Sequence, residues 1–480
     1  MNQEAATLQR PVTEVRPETP FSSPAEAVLD GVAAQTVRAL PEGVARFLAR
    51  APVPMDVLGG IGEFSGGTVL AMPLADSVCV CTQRRTDGRM VVLATGGGNG
   101  HPPCDLSTSD LYAAARMCPR ELGTSPPLVE QVSCDTTRYA AATLVEMLAA
   151  GLISDLAEGL SIAVGCASDA VHPAAFSAAL MRSVTATLDH DLPTPTAGGV
   201  YQQVENHWFG RPVGRADVLC SLLGQAGTLF EIRCDSWTIG ASHRPPGDWR
   251  LMGVHCGVVH PDAVEKYARA RTATFMGRLL MERILRYQGM DERRWNGHVA
   301  HLNVVDYVEK VRDRIPTKIK GSDFLARFGE TGDPLTRVDP SAVYKVRSRT
   351  EHHIYEQVRI REFIDAMSRA ARKGNANAIV EAGEQTYASH WSYGQRCGLG
   401  SVETDALASA IRGLGSSEIF GAKTTGHGSG GVLAVLMRAT ESAREDLDQA
   451  LRVYQQRTGR TARPLWGSAS GALVVDVQRL

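Results

Sequence analysis

Gly421-Ala-Lys-Thr-Thr-Gly-His-Gly-Ser-Gly-Gly431, followed at once by the apolar run Val432-Leu-Ala-Val-Leu-Met437, is the stretch whose reading decides the fold. Five glycines in eleven residues open backbone conformations that a Cβ forbids. A turn of this kind presents successive N–H groups in a concavity that suits an anion. Lys423, Thr424 and Ser429 add a charge and hydroxyl donors. The segment is not a Walker loop, because the Gly-Lys-Ser/Thr ending is missing. On composition alone it reads equally well as a glycine-rich hairpin ahead of a buried strand, so the rest of the chain has to decide.

Two upstream segments bear on that choice. The first is Ala51-Pro-Val-Pro-Met-Asp-Val-Leu-Gly-Gly-Ile-Gly-Glu-Phe-Ser-Gly-Gly67. The second is Gln203-Val-Glu-Asn-His-Trp-Phe-Gly-Arg-Pro-Val-Gly-Arg-Ala-Asp217. Asn296-Gly297, Asp333-Pro334, the run 344–359, Ser389-His390 and Cys397-Gly-Leu-Gly-Ser401 follow. Taken in this order, over residues 45–440, they resemble the GHMP kinase superfamily in its galactokinase/arabinokinase form, and 421–431 resembles that family's third motif. The resemblance implies an α+β, two-domain fold with the active site in the cleft between the domains. It implies ATP and Mg²⁺ as cofactors, and a galactose- or arabinose-like monosaccharide phosphorylated at its anomeric hydroxyl.

The resemblance also assigns residues. Glu63 takes the place of the acid that binds sugar hydroxyls, with Asp56 in the same run and Gly214, Gly426 and Gly428 lining the sugar. A carboxylate fixes two hydroxyls through charge-assisted hydrogen bonds; the plainer reading of Glu63 is a surface acid in a turn. Asp217 takes the place of the catalytic Asp near a helix start, where a general base accepts the hydroxyl proton as the oxygen attacks phosphorus. Its plainer reading is a helix N-terminal acid stabilised by the dipole. Lys423, Ser429, Ser168, Asp169 and Ser177 fall to the nucleotide.

Three departures stand against a working enzyme. The family's glycine- and serine-rich second motif corresponds to 159–180, where the loop shrinks to Val171-His-Pro-Ala-Ala-Phe176 without a glycine. A helix start there still offers free N–H groups to an anion, but Phe176 is a poor neighbour for phosphate. Val53-Pro54 replaces the Gly-Arg of the first motif, and proline supplies neither charge nor N–H. Val218 stands where a Gln often follows the catalytic Asp. Arg215, or Arg211, is the candidate replacement cation; Arg215 qualifies only if it lies in the turn before the helix, since residues two apart on a helix face different ways. The alternative reading is a pseudokinase that binds sugar or nucleotide without transfer, and a third is the scaffold turned to other chemistry.

Composition bounds the rest. Of 480 residues 44% are hydrophobic and 21% charged, ordinary globular values. A net charge of −2 leaves no basic footprint for nucleic acid. No apolar stretch reaches a membrane-spanning length and the first residues lack a signal peptide's apolar core; the expectation is a cytoplasmic protein without membrane partner, its oligomeric state open. The ten cysteines show no metal-ligand spacing and read as reduced thiols, and no metal ligand is assigned. The first of only seven lysines is Lys266, so any cation needed earlier is Arg or His.

The expected division is a disordered lead-in over 1–25, an N-terminal domain over 26–260 and a C-terminal domain over 261–480. Period-3.6 patterning predicts helices over 24–48, 137–150, 174–189, 263–287, 350–373, 378–396, 401–414 and 441–456. Alternation predicts strands within 55–84, 227–239, 432–438 and 472–477. Ser401, with Glu403 and Asp405 behind it, predicts a capped helix start.

Overall fold

The computed structural model describes residues 24–95, 104–117, 134–168, 171–291, 293, 295–373 and 377–480. The expected lead-in, but for its last two residues, and the glycine loop at 96–100 lie outside them. The helices are α1 (Pro24–Arg38), α2 (Thr108–Arg116), α3 (Asp135–Ala149), α4 (Pro173–Leu188), α5 (Thr194–Gln203), α6 (Ala216–Leu223), α7 (Ala263–Tyr287), α8 (Gly321–Phe328), α9 (Val346–Lys373), α10 (Ala378–Ser392), α11 (Val402–Gly413) and α12 (Glu441–Thr458).

Two sheets carry the fold. The larger runs β14 (Gln478–Arg479), β1 (Arg46–Leu58), β2 (Thr68–Arg84), β5 (Gly159–Cys166), β3 (Arg89–Ala94) and β4 (Cys104–Ser107). The first half of β2 instead pairs with β6 (Leu229–Arg233), which carries β7 (Thr238–His243). Among the described residues only β3 and β5 pair in parallel. The smaller sheet orders β11 (Ile419–Thr424), β12 (Gly430–Arg438), β8 (Trp249–Val259) and β13 (Arg463–Leu465). The expected boundary at residue 260 is crossed both ways: β8 lies before it yet pairs with β12, and β14 returns from the chain end to β1.

The pattern explains these elements. β2 is buried along nearly its whole length, hence its run of Val, Leu, Ala and Cys without polar alternation. β1 slips register between Pro52 and Pro54, where two prolines cannot donate to the ladder. α4 packs on β1 and β2 through Ala174, Ala175, Ala178 and Ala179, small enough for close approach. Met55, Val57, Leu70 and Met72 pack with Phe363, Ile360, Ala434 and Leu436, one core joining the first sheet to α9 and the second sheet. Phe363 is fully buried there, so Phe363→Ala would cost about 3–5 kcal/mol.

Some expected elements change. The helix from Pro24 stops at Arg38, because 46–48 is claimed by β1's pairing with β2. Residues 472–477 are turn rather than strand; their backbone N–H groups go to Ser221, Leu222 and Gly471 carbonyls. Ser401 caps α11 as expected, in a reciprocal box with Thr404.

Candidate active site

The site begins where β1 ends. Gly59 has φ +99° and a Cβ there would lie 2.5 Å from Thr68 O, so only glycine fits. The 3₁₀ turn Gly60–Ser65 follows. The C-terminal half of the chain pins it: Gly59 N donates to Glu356 Oε1 (3.1 Å), Ile61 N to Tyr393 Oη (3.1 Å) and Thr68 N to Gln357 Oε1 (3.0 Å). Glu356 is held low, to about 2, because Arg359, His352 and Lys423 outweigh its burial.

Asp56 joins this turn to the glycine-rich segment. Lys423 Nζ donates to Asp56 Oδ2 at 2.7 Å and Gly426 N to Asp56 Oδ1. Tyr393 Oη donates to Gly426 O at 2.7 Å. The Lys423 ammonium is completely buried on that carboxylate and 4.6 Å from the Tyr393 ring. It therefore fastens the turn, and is no open phosphate contact as the sequence suggests.

Glu63 and Asp217 differ in how they are held. Glu63 Oε1 accepts from Gly214 N (2.8 Å) and Tyr267 Oη (3.0 Å); burial raises its pKa against those bonds and Arg271. Gly214 approaches so closely that a Cβ would sit 2.5 Å from Glu63 Oε2. Asp217, in the first turn of α6, makes no hydrogen bond or ion pair with the described residues. Burial, then Glu63, Asp56 and Glu205, push its pKa well above the usual carboxylate range. Such perturbed, unpartnered acids concentrate at functional sites.

Facing these acids is a nitrogen-rich corner. His172 stands at the N-cap of α4, makes no side-chain cap, and is followed by Pro173 with no acid in the first turn. Its pKa falls to about 4 through burial, then His427 and Arg211. His427, in the glycine-rich turn, also falls to about 4 through burial and Arg211, and its ring lies 4.5 Å from Tyr267. Arg211 is anchored by Glu205 (3.4 Å to each oxygen), which also accepts from Tyr139 Oη at 2.7 Å. Phe176 does not block this corner. It is 2% exposed and packs on Tyr139 at 5.6 Å, inside the core.

The structure thus brings together Asp56, Glu63, Gly214, Asp217 and Gly426. Arg215 does lie in the turn before α6, but its Nε donates to Gln202 Oε1 (2.9 Å) and its guanidinium sits 5.8 Å from the Trp237 ring rather than on Asp217. Ser177 is fully buried with its hydroxyl on Tyr139 Oη (3.3 Å), so it offers no open contact to a nucleotide. Ser429 is fully buried at φ +56°, its N–H on Leu399 O. Gly428 is wedged against Leu399, where a Cβ would meet its carbonyl at 2.3 Å. Ser168 is half-buried in the loop before α4; Asp169 lies outside the described residues. Among the described residues no group of three or more His, Cys, Asp or Glu is placed to hold a metal ion.

Sequence reasoning did not single out Tyr267, Tyr393, His427 or Glu356. Each sits in a regular helix or turn pattern that reads as core or loop, and only the pairing of distant segments brings them here. Asp333 had been noted without a role; it grips Arg271 bidentately at 2.8 Å, and Arg271 faces Phe64 at 5.3 Å.

The chain is 25% identical to the L-arabinokinase of Arabidopsis thaliana over 482 residues, covering 89% of this chain and 46% of that protein. It thus spans about half the length of the curated relative it matches. No protein-family model matches it. Its fold is similar to Lactococcus lactis galactokinase complexed with galactose, with a TM-score of 0.65 at 16% identity, covering 94% of this chain and 100% of that one. It is similar also to Methanococcus jannaschii mevalonate kinase, with a TM-score of 0.51 at 11% identity, covering 90% and 100%. The chain thus shares the fold of galactokinase and mevalonate kinase along almost its whole length, and its sequence is similar to that of a sugar kinase.

Proposed function

We propose that the chain transfers the γ-phosphoryl group of Mg·ATP to the anomeric hydroxyl of a galactose- or arabinose-like monosaccharide. The observation that carries this reading is Asp217, an acid lacking any partner among the described residues, lifted in pKa and set beside Glu63. Glu63, steadied by Gly214 N and Tyr267, orients sugar hydroxyls. Asp217 accepts the proton of the attacking hydroxyl. The galactose named with the Lactococcus structure and the arabinose in the name of the Arabidopsis relative motivate the sugar class.

The nitrogen-rich corner fits a polyphosphate. A helix start without an acid in its first turn, together with the neutral imidazoles of His172 and His427, offers N–H donors, and Arg211 adds a positive charge. When bound, Mg·ATP supplies the phosphoryl group and neutralises its developing charge. Arg211 stands in for the arginine that Val53-Pro54 displaced, and Arg215 serves to brace α5 against α6.

Binding without transfer is the second reading, favoured by Pro54 and by the glycine-free loop before α4. ADP release in Mg·ATP with D-galactose and L-arabinose, each against a no-sugar blank, separates the two. Sugar-dependent ADP release is expected. Calorimetric binding of sugar or nucleotide without ADP would establish the second reading, and binding of neither would end both.

A further inference from the structure

Behind the turn that carries Glu63 lies a cavity of about 150 Å³. Its apolar walls are Phe64, Phe275 and Val299, and its polar ones include Ser65, Arg278 and His298. Glu63, Asp217, Tyr267 and Gly426 do not line it, so it is distinct from the cleft just described. The shared wall is the 3₁₀ turn itself, and Gly66 lies so close to His298 that a Cβ would stand 2.3 Å from His298 Nδ1.

The electrostatics of this cavity are incomplete. Arg278 makes no ion pair with the described residues. Its Nη1 donates to Gly297 O at 3.3 Å, and its guanidinium lies 5.6 Å from the Phe275 ring. Its Nε is buried without a partner. Its neighbour on the same helix face, Arg271, has Asp333. Burial lowers the His298 pKa, with His301 and, least, Arg278 acting the same way against Asp235, and its ring nitrogens make no hydrogen bond with the described residues. The Ser65 hydroxyl is already spent on Gly62 O at 2.8 Å. A buried N–H ordinarily has an acceptor. Two nitrogen-bearing side chains and two aromatic rings lining one cavity, with no acid among the lining residues, describe the complement of a small anion with an apolar body.

We propose that this cavity binds a small organic carboxylate, its oxygens on Arg278 and His298 and its body between Phe64, Phe275 and Val299. The volume falls below the ~300–1,000 Å³ of sites for drug-sized ligands, so the occupant is a fragment-sized molecule. The inference does not depend on the kinase reading, since the cavity shares no lining residue with that site.

The probe is benzoate, titrated calorimetrically into the full chain. Benzamide, of the same shape without charge, and inorganic phosphate, charged without an apolar body, are the comparisons. Saturable benzoate binding is expected, at least tenfold tighter than benzamide or phosphate, and at least tenfold weaker in Arg278→Gln and in His298→Asn at unchanged melting temperature. Asp217→Asn, which disables the proposed phosphoryl transfer, should bind benzoate like the parent. Absent benzoate binding, benzamide or phosphate binding equally well, or undiminished binding in both cavity variants would each overturn the proposal. So would loss of benzoate binding in Asp217→Asn, which would place the ligand in the sugar cleft.

Discussion

Asp56, Glu63 and Asp217 gather three carboxyls in one group; His172, His427 and Arg211 gather nitrogen donors in another. The acid side is tied down by both halves of the fold. Its turn is held by Glu356, Gln357 and Tyr393, and Asp56 is fastened to Lys423 and Gly426. The nitrogen side hangs on a short loop and on one arginine anchored by Glu205 at 3.4 Å. The sugar-facing geometry is thus preorganised by packing across the fold. The nitrogen side relies on one charged side chain, Arg211, and on the N–H groups of two neutral imidazoles.

The contrast is open to breaking, most severely at Asp217. Asp217→Asn should lower turnover by about 10³-fold, within the usual range for removing a general base. The same change should raise the melting temperature. A carboxyl whose folded pKa lies above its unfolded value takes stability away as pH rises from the unfolded value toward the folded one, so the acid costs stability at neutral pH. A variant that is both inactive and less stable would contradict the assignment.

Arg211→Met comes next, with a loss of about 10²-fold in kcat expected from removing one charge-stabilising group. Sugar affinity measured without nucleotide should not move. Glu63→Gln should weaken sugar binding by about tenfold or more, since hydrogen bonds to a charged acceptor are worth about 1.5–3 kcal/mol. It should also shift the acid limb of the pH–rate profile to lower pH, because one like charge beside Asp217 is gone. Opposite behaviour of Arg211 and Glu63 variants toward sugar and nucleotide would sharpen the division; parallel behaviour would erase it.

The smallest effect belongs to the histidines. Both are neutral at pH 7, with pKa values near 4. An anion seated between them raises those values, so the bound state holds more protons than the free one. ATP affinity should therefore rise a few-fold from pH 8 to pH 5.5, about one proton's worth of linkage at most. The dependence should flatten in His172→Gln/His427→Gln.

How much of this was legible from the chain follows the same line. The acid side sits in contiguous motifs: Asp56 and Glu63 lie seven residues apart in a glycine-rich run, and Asp217 opens a helix. Local patterning also set α7 at 263–287 and the Ser401 cap of α11. On the nitrogen side Arg211 could be named as a cation from its motif, but its grouping with His172 and His427 was not legible, because the three lie on separate segments that only folding brings together. Ser177 and Lys423 misled for a related reason. A hydroxyl or ammonium in a motif looks open until the packing shows Tyr139 and Asp56 already holding it. That β8 and β14 pair with strands far away in sequence, across the expected boundary at 260, is a choice that no local period records.

Phosphorus NMR of the products tests the central claim most directly: the chain, Mg·ATP and ¹³C-1-labelled D-galactose or L-arabinose are incubated, and the Asp217→Asn variant is run beside them. Phosphoryl transfer by Asp217 predicts a sugar-phosphate resonance coupled to the labelled anomeric carbon, growing with ADP and missing in the variant. A phosphate on any other carbon, or an anomeric phosphate formed equally fast by Asp217→Asn, would contradict it.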